Sequence, residues 1–126
     1  MKTVEQAIYD IIWKHLSDKM DVYDSRPMKE VAYPFADFEE LYTTYTGAKN
    51  GATATVTANM NIWNTEYERM KVSAACNGLL LMAMHLNDAY GHKVNLRLGE
   101  SSITVSQDRT VTPPIWRGMV ILTFSI

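Results

Sequence analysis

Cysteine is nearly absent. Cys76 is the only one, so no disulfide can form within the chain, and a reducing compartment is the expectation. Long apolar runs are missing as well. The longest stretches fall far below the roughly 20 residues of a membrane helix, and no membrane partner is expected. Charge of one sign is never concentrated: 12 Lys and Arg stand against 14 Asp and Glu, with no basic block of the kind a nucleic-acid grip needs. Met1–Glu40 carries nine of the acidic residues and five of the basic ones, an asymmetry that reads as a solvated face. The opening segment, Met1-Lys2-Thr3-Val4-Glu5, enters a helical pattern at once, without the apolar run and cleavage site of a secretory signal.

Apolar residues make up 47% of the chain, enough for a packed core and too many for disorder. The length is that of one domain, 1–126. Val4, Ala7, Ile8, Ile11, Ile12 and Leu16 recur at three-and-four spacing and predict a helix, capped by Thr3 with Gln6 at capping-box distance. Trp13 falls at the edge of that stripe. Asp18 to Met28 reads as a polar connector that Val22 and Tyr23 pin to the core.

Pro34 favours an extended chain at Tyr33, and a strand with imperfect alternation follows over Phe35–Tyr45. Beyond the loop Gly47–Gly51, Ala52 to Ile62 alternates strictly with Thr and Asn, which predicts a strand with one buried face. A second helix is expected from Thr65, with Glu68 in a capping box, to about Asn87. Its stripe is Val72, Ala75, Cys76, Leu79, Met82, Ala83 and Leu86, and Leu80, Leu81 and Met84 widen the apolar arc.

Three strands complete the chain: Lys93–Leu98, one around Ile103 and Val105, and Ile115–Ile126. In the last, Met119 and Ile121 lie on the phase opposite Val120, Leu122 and Phe124. The short connections predict an α+β fold in the order α-β-β-α-β-β-β: a mainly antiparallel sheet of four to five strands with both helices on one face. The expected core is Val56, Ala58, Met60, Ile62, Val72, Ala75, Leu79, Val120, Leu122 and Phe124.

Catalytic and metal chemistry finds little purchase. His15, His85 and His92 lack the spacing of a zinc site, and no metal, cofactor or catalytic residue is expected. Asp37 and Glu39 share one strand face as a solvated acidic pair. Lys49 between Gly47 and Gly51 is no phosphate-binding loop. Cys76 sits on an apolar stripe as an inert thiol.

Two local signatures carry a resemblance. Tyr33-Pro34-Phe35-Ala36-Asp37-Phe38-Glu39-Glu40 resembles the aromatic-proline-aromatic opening of the first strand in tail terminators, the tail-completion proteins of long-tailed (siphovirus-type) phages. Ile115-Trp116-Arg117-Gly118-Met119-Val120-Ile121-Leu122-Thr123-Phe124 is similar to that family's final strand. Tyr33, Pro34, Phe35, Trp116 and Gly118 are the residues that match its pattern. The two helices match by position, so the resemblance spans nearly the whole chain.

It implies a homohexameric ring at the head-proximal end of the tail tube, assembled in the host cytoplasm and carried in the virion at the head–tail junction. The implied partners are the chain itself, the major tail tube protein and a head-side neck or connector protein, with DNA passing through the ring without specific binding. Arg117, Met119 and Ile121, together with the hairpin tip at Tyr45, Lys49 and Asn50, are the candidate oligomer or partner interface. The tip, Tyr45 to Ala52, is expected to be mobile in the isolated subunit. Another neck component, a small ligand-binding or hydrolytic domain built on Asp37 and Glu39, and a non-viral structural module are the alternatives.

Overall fold

Val56, Ala58, Met60 and Ile62, alternating with Thr57, Asn59 and Asn61, become the central strand in a computed structural model that describes residues 1–48 and 51–126. In chain order the elements are α1 (Val4–Ser17), β1 (Asp21–Tyr23), β2 (Phe35–Ala48), β3 (Gly51–Asn64), α2 (Arg69–His85), β4 (Asp88–Ala89), β5 (His92–Lys93), β6 (Asn95–Leu96), a 3-10 turn (Leu98–Glu100), β7 (Ser102–Asp108) and β8 (Ile115–Ser125). The main sheet runs β1-β2-β3-β8, and β7 and β6 share the far edge of β8 end to end. Its β1–β2 pair is parallel and its other pairs are antiparallel. The molecule is therefore α+β as expected, with six strands in the sheet.

One of those strands was not foreseen. The connector contains β1, whose three residues pair with Phe35–Asp37. Beyond that short overlap, β2 has no strand on its outer edge among the described residues. β6 and β7 form one line along β8, broken by an outward loop at the 3-10 turn. Across the break the Arg97 amide donates to the Thr123 carbonyl at 2.7 Å, and the Thr123 amide donates to Ser101 Oγ at 3.2 Å. β4 and β5 form a separate hairpin. Its two-residue turn, Tyr90-Gly91, has positive φ at both positions, the backbone of a twist-matched hairpin turn.

α1 forms as read. Thr3 Oγ1 accepts from the Gln6 amide at 3.1 Å, and Ala7, Ile8, Ile12 and Leu16 are buried. α2 starts at Arg69, four residues later than expected, and Glu68 provides no side-chain cap. The Glu68 amide donates to Thr65 in a turn, and the Glu66 carbonyl accepts from Trp116 Nε1 at 2.8 Å. That bond to β8 holds the Thr65–Glu68 segment outside the helical ladder. Glu39 is a bulge where β2 shifts register against β3. The extra residue swaps the phase of the strand, so Ala36 and Phe38 face the helices before it and Leu41 faces them after it. This is the origin of the imperfect alternation.

Both helices cover the same face. One hydrophobic cluster joins Ile8 and Ile12 of α1, Val72 and Leu79 of α2, and Met60, Ile62, Leu122 and Phe124 of the sheet. Of the expected core, Ala75 is half-buried and the rest is buried. Trp13 is half-buried at the margin and stacks on Phe38 at 6.3 Å. Each large apolar side chain so covered contributes about 1.5–3 kcal/mol.

α2 rides closest to the sheet over Gly118. A Cβ placed there would lie 2.4 Å from Cys76 Sγ and 2.7 Å from Val72 Cγ1. Gly118→Ala is expected to destabilise the fold by roughly 1–3 kcal/mol through overpacking. The double variant Gly118→Ala with Cys76→Ala should recover part of that loss in denaturant unfolding. Equal stability of Gly118→Ala and wild type would show that α2 rides higher than described.

Candidate functional site

The sheet face away from the helices divides into two regions. At one end the connector folds across it. Phe35 of β2, Trp63 of β3 and Ile115 of β8 form a second small cluster there, with Tyr23 and Val31 packed against it. Phe35 and Trp63 stack at 6.3 Å, and the Arg26 guanidinium lies 3.9 Å from the Trp63 ring centre. At the other end no helix lies over the face; the 3-10 turn reaches its rim, where the Thr123 hydroxyl donates to the Glu100 carbonyl at 3.0 Å, and Tyr42, Thr57, Ile121 and Thr123 line a shallow depression of about 370 Å³.

A polar network joins the two regions. Asp37 is buried, which corrects the expectation of a solvated acidic pair. Its two carboxylate oxygens accept from Asn61 Nδ2 at 2.8 Å and Trp63 Nε1 at 2.9 Å. Glu39 stays exposed and accepts from the same Asn61 Nδ2 at 2.7 Å and from Arg117 Nη2 at 3.2 Å. Arg117 Nε donates to Asn61 Oδ1 at 2.8 Å. These groups border a cleft of about 340 Å³ that Arg26 and Asp108 also line. Bonds from the Thr110 hydroxyl and amide hold the Asp108 carboxyl below the usual carboxylate range, and the nearby Arg26 and Arg117 charges act in the same direction.

Within this cleft Asp37, Glu39, Asn61, Trp63 and Arg117 are joined by hydrogen bonds. Asp37 accepts one donor on each oxygen, which ties its carboxylate to Asn61 and Trp63 of β3. Among the described residues no group of three or more His, Cys, Asp or Glu is arranged to hold a metal ion. His85 Nδ1 donates to the Leu81 carbonyl at 2.8 Å, and His92 Nε2 donates to the Lys2 carbonyl at 2.8 Å. Burial lowers the pKa of His15, whose Nε2 has no partner. Burial pushes the Cys76 thiol up to about 11, so it stays protonated and unreactive at neutral pH.

The structure brings some of the sequence-marked residues together and separates others. Phe35 and Arg117, 82 positions apart in the chain, share one row across the sheet through Trp63. Met119 and Ile121 continue down β8 on the open face, opposite Asn61 and Asn59, and both are half-buried. Gly118 lies beneath α2, and Trp116 is half-buried on the same helix-side phase. Tyr33 and Pro34 are exposed before β2.

Tyr45 is exposed, but it pairs with Ala54 on the helix-side phase, so it does not join Met119 and Ile121. Lys49 and Asn50 lie outside the described residues, and with them the expectation for the tip. The paired strands run to Ala48 and resume at Gly51, so the loop expected from Gly47 is narrower than the sequence implied. Trp63, Asn61 and Arg26 were missed. Carrying the alternation one residue past Ile62 places Trp63 on the Thr/Asn face, which was the available signal.

Asp37→Ala is expected to cost about 1–3 kcal/mol, because it leaves Trp63 Nε1 buried without an acceptor. Unfolding of that variant at wild-type denaturant concentration would exclude the network as a structural lock. Thiol reagents at neutral pH should modify Cys76 only in unfolded protein. Labelling of the native chain at the rate of a free thiol would contradict its burial.

No family model matches the chain, and no curated protein matches it either.

Proposed function

We propose that this protein works by assembly, as a tail terminator: a homohexameric ring at the head-proximal end of a phage tail tube. The observation that carries the reading is the half of the sheet face over which no helix lies. Both helices lie on the other face, and Met119 and Ile121 sit half-buried in this open surface. Sheets with one helix layer expose their second face unless something is laid on it, and contiguous apolar surface marks interaction sites. The residues that resemble the terminator pattern lend support. Phe35 and Arg117 lie in one row across β2, β3 and β8, and the order of the long elements fits the family.

In this reading the open face of one subunit is covered by its neighbour in a heterologous contact that closes into a ring. The ring stops tube growth and presents a docking surface to the filled head. The major tail tube protein and a head-side neck protein are its partners. A net charge of −2 suits a channel through which DNA slides without being held. The polar cleft beside Trp63 is the feature that favours the other class, a small ligand-binding or hydrolytic domain. The bonds that tie Asp37, Asn61, Trp63 and Arg117 across three strands fit a structural lock better.

Met119→Glu combined with Ile121→Lys is expected to leave the subunit folded, abolish ring formation, and yield tails of uncontrolled length that fail to join heads. Sedimentation and negative-stain imaging of the purified protein check the first outcome, and electron microscopy of assembled tails checks the second. Normal rings and joined tails from the folded double variant would move the interface elsewhere. A wild-type protein that stays monomeric in the presence of tail tubes would end the terminator reading.

A further inference from the structure

β2 has a long free edge. Its inner edge pairs with β3 along its length, with one bulge at Glu39. Its outer edge is covered only at Phe35–Asp37, by β1. From Phe38 to Ala48 no strand lies on it among the described residues. The unpaired amides and carbonyls of such an edge are a template for another strand. Side chains beside it are open as well. Tyr45 is 71% exposed, and Glu40, Tyr42, Thr44 and Thr46 are exposed. Between the edge and the first turn of α1 lies a depression of about 500 Å³, walled by Val4, Glu5, Leu41, Thr43 and Tyr45.

We propose that this edge binds the same edge of a second copy, antiparallel, about a two-fold axis at Thr43. Length fixes the axis. β1 closes the free edge before Phe38, and the β2–β3 hairpin closes it after Ala48. Thr43 is the midpoint, with five residues on either side. Antiparallel pairing about Thr43 sets Ala48 of one copy opposite Phe38 of the other, so the hairpin carries each chain away where its partner's β1 begins. The regular stretch beyond the bulge, Glu40–Thr46, has the same midpoint, and its pairs supply about six to eight main-chain hydrogen bonds. Any other antiparallel register of the two edges either runs into β1 or leaves more of the edge bare.

The side chains agree with this register, in which directly opposed residues share a face. Tyr45 of each copy meets Leu41 of the other on the helix side, where the depression beside α1 has room for the ring. Thr43 meets its counterpart, and its hydroxyl already donates to Glu5 Oε1 of its own chain at 3.0 Å. On the other face Tyr42 meets Thr44, and Glu40 meets Thr46. Glu39 stands opposite Gly47, so no like charges oppose each other between Phe38 and Ala48. Each contact off the axis occurs twice, as an isologous interface demands. Main-chain bonds supply affinity in such a contact, and the seat for Tyr45 supplies specificity. β8, with Met119 and Ile121, lies two strands away, so the contact does not rest on the ring.

The test is sedimentation equilibrium of the full chain from micromolar to millimolar concentration. It is run on Met119→Glu with Ile121→Lys, which removes the ring contact and should leave a monomer–dimer equilibrium. Wild type that forms no rings should show the same equilibrium. Position 46 then reads the register. Thr46→Lys sets a lysine against Glu40 twice and should tighten the dimer about threefold to tenfold, and Thr46→Glu sets like charges there and should weaken it by a similar factor. Thr46 is exposed and lies beyond the pairing of β3 with β8, so neither change touches the core, and a tighter dimer cannot arise from misfolding. On oxidation Thr43→Cys chains should cross-link, whereas Thr46→Cys chains, about 20 Å apart across the axis, should not. A chain that stays monomeric at millimolar concentration, a dimer indifferent to both charges at position 46, or cross-linking through position 46 and not 43 overturns the proposal. If the charges at position 46 change binding to tail tubes and leave self-association unaltered, the edge takes another protein's strand and the two-fold contact is wrong. Rings are scored on wild-type protein by imaging, and their absence leaves the dimer measurement intact, so the two readings fail separately.

Discussion

β3 is paired on both edges, with β2 on one side and with β8 from Thr55 to Asn64 on the other. A slip of one residue on either side would turn Val56, Ala58, Met60 and Ile62 to solvent and bring Thr57, Asn59 and Asn61 under the helices. The register is held at both faces. Below, Gly118 lets Cys76 and Val72 of α2 come down onto β8. Above, Asn61 donates to Asp37 and Glu39 and accepts from Arg117, which ties β2, β3 and β8 together at one level. A network that spans three strands in this way favours one pairing of them.

Elements whose signal lies in their own residues were legible. α1 and β3 have a clean period, and their buried phases were read correctly. Elements that depend on a distant partner were not. β1 is three residues with no period to detect, and it exists because Phe35–Asp37 offers it an edge. The bulge at Glu39 left its mark as broken alternation, yet only the pairing with β3 shows which residue is extra. Asp37 looked like a solvated carboxylate because its donors, Asn61 and Trp63, lie more than 20 positions away. α2 lost its first expected turn to a bond from Trp116, 50 positions downstream of Glu66.

Candidate site residues divide the same way. The alternation of β8 placed Met119 and Ile121 on the face without helices. It could not reveal that the connector covers one end of that face and stops short of Met119 and Ile121. Nor could periodicity tell whether the wide arc of α2 served a second internal surface or an external one. In the fold, Leu80 is half-buried while Leu81 and Met84 face outward, so part of the arc is surplus to the monomer's own core. The subunit thus has spare apolar surface on both of its outer sides, one on the helix layer and one on the sheet.

The bare edge of β2 bears on how the chain behaves at high concentration. From Phe38 onward the strand has no outer neighbour among the described residues, and Leu41-Tyr42-Thr43-Thr44-Tyr45-Thr46 holds neither proline nor lysine. Such an edge is a template for indiscriminate strand addition, and natural sheets ordinarily blunt it with charge, kinks or cover. Here Glu39 and Glu40 guard only one end. A concentrated pool of free chains is therefore exposed to fibrillar self-capture through this edge.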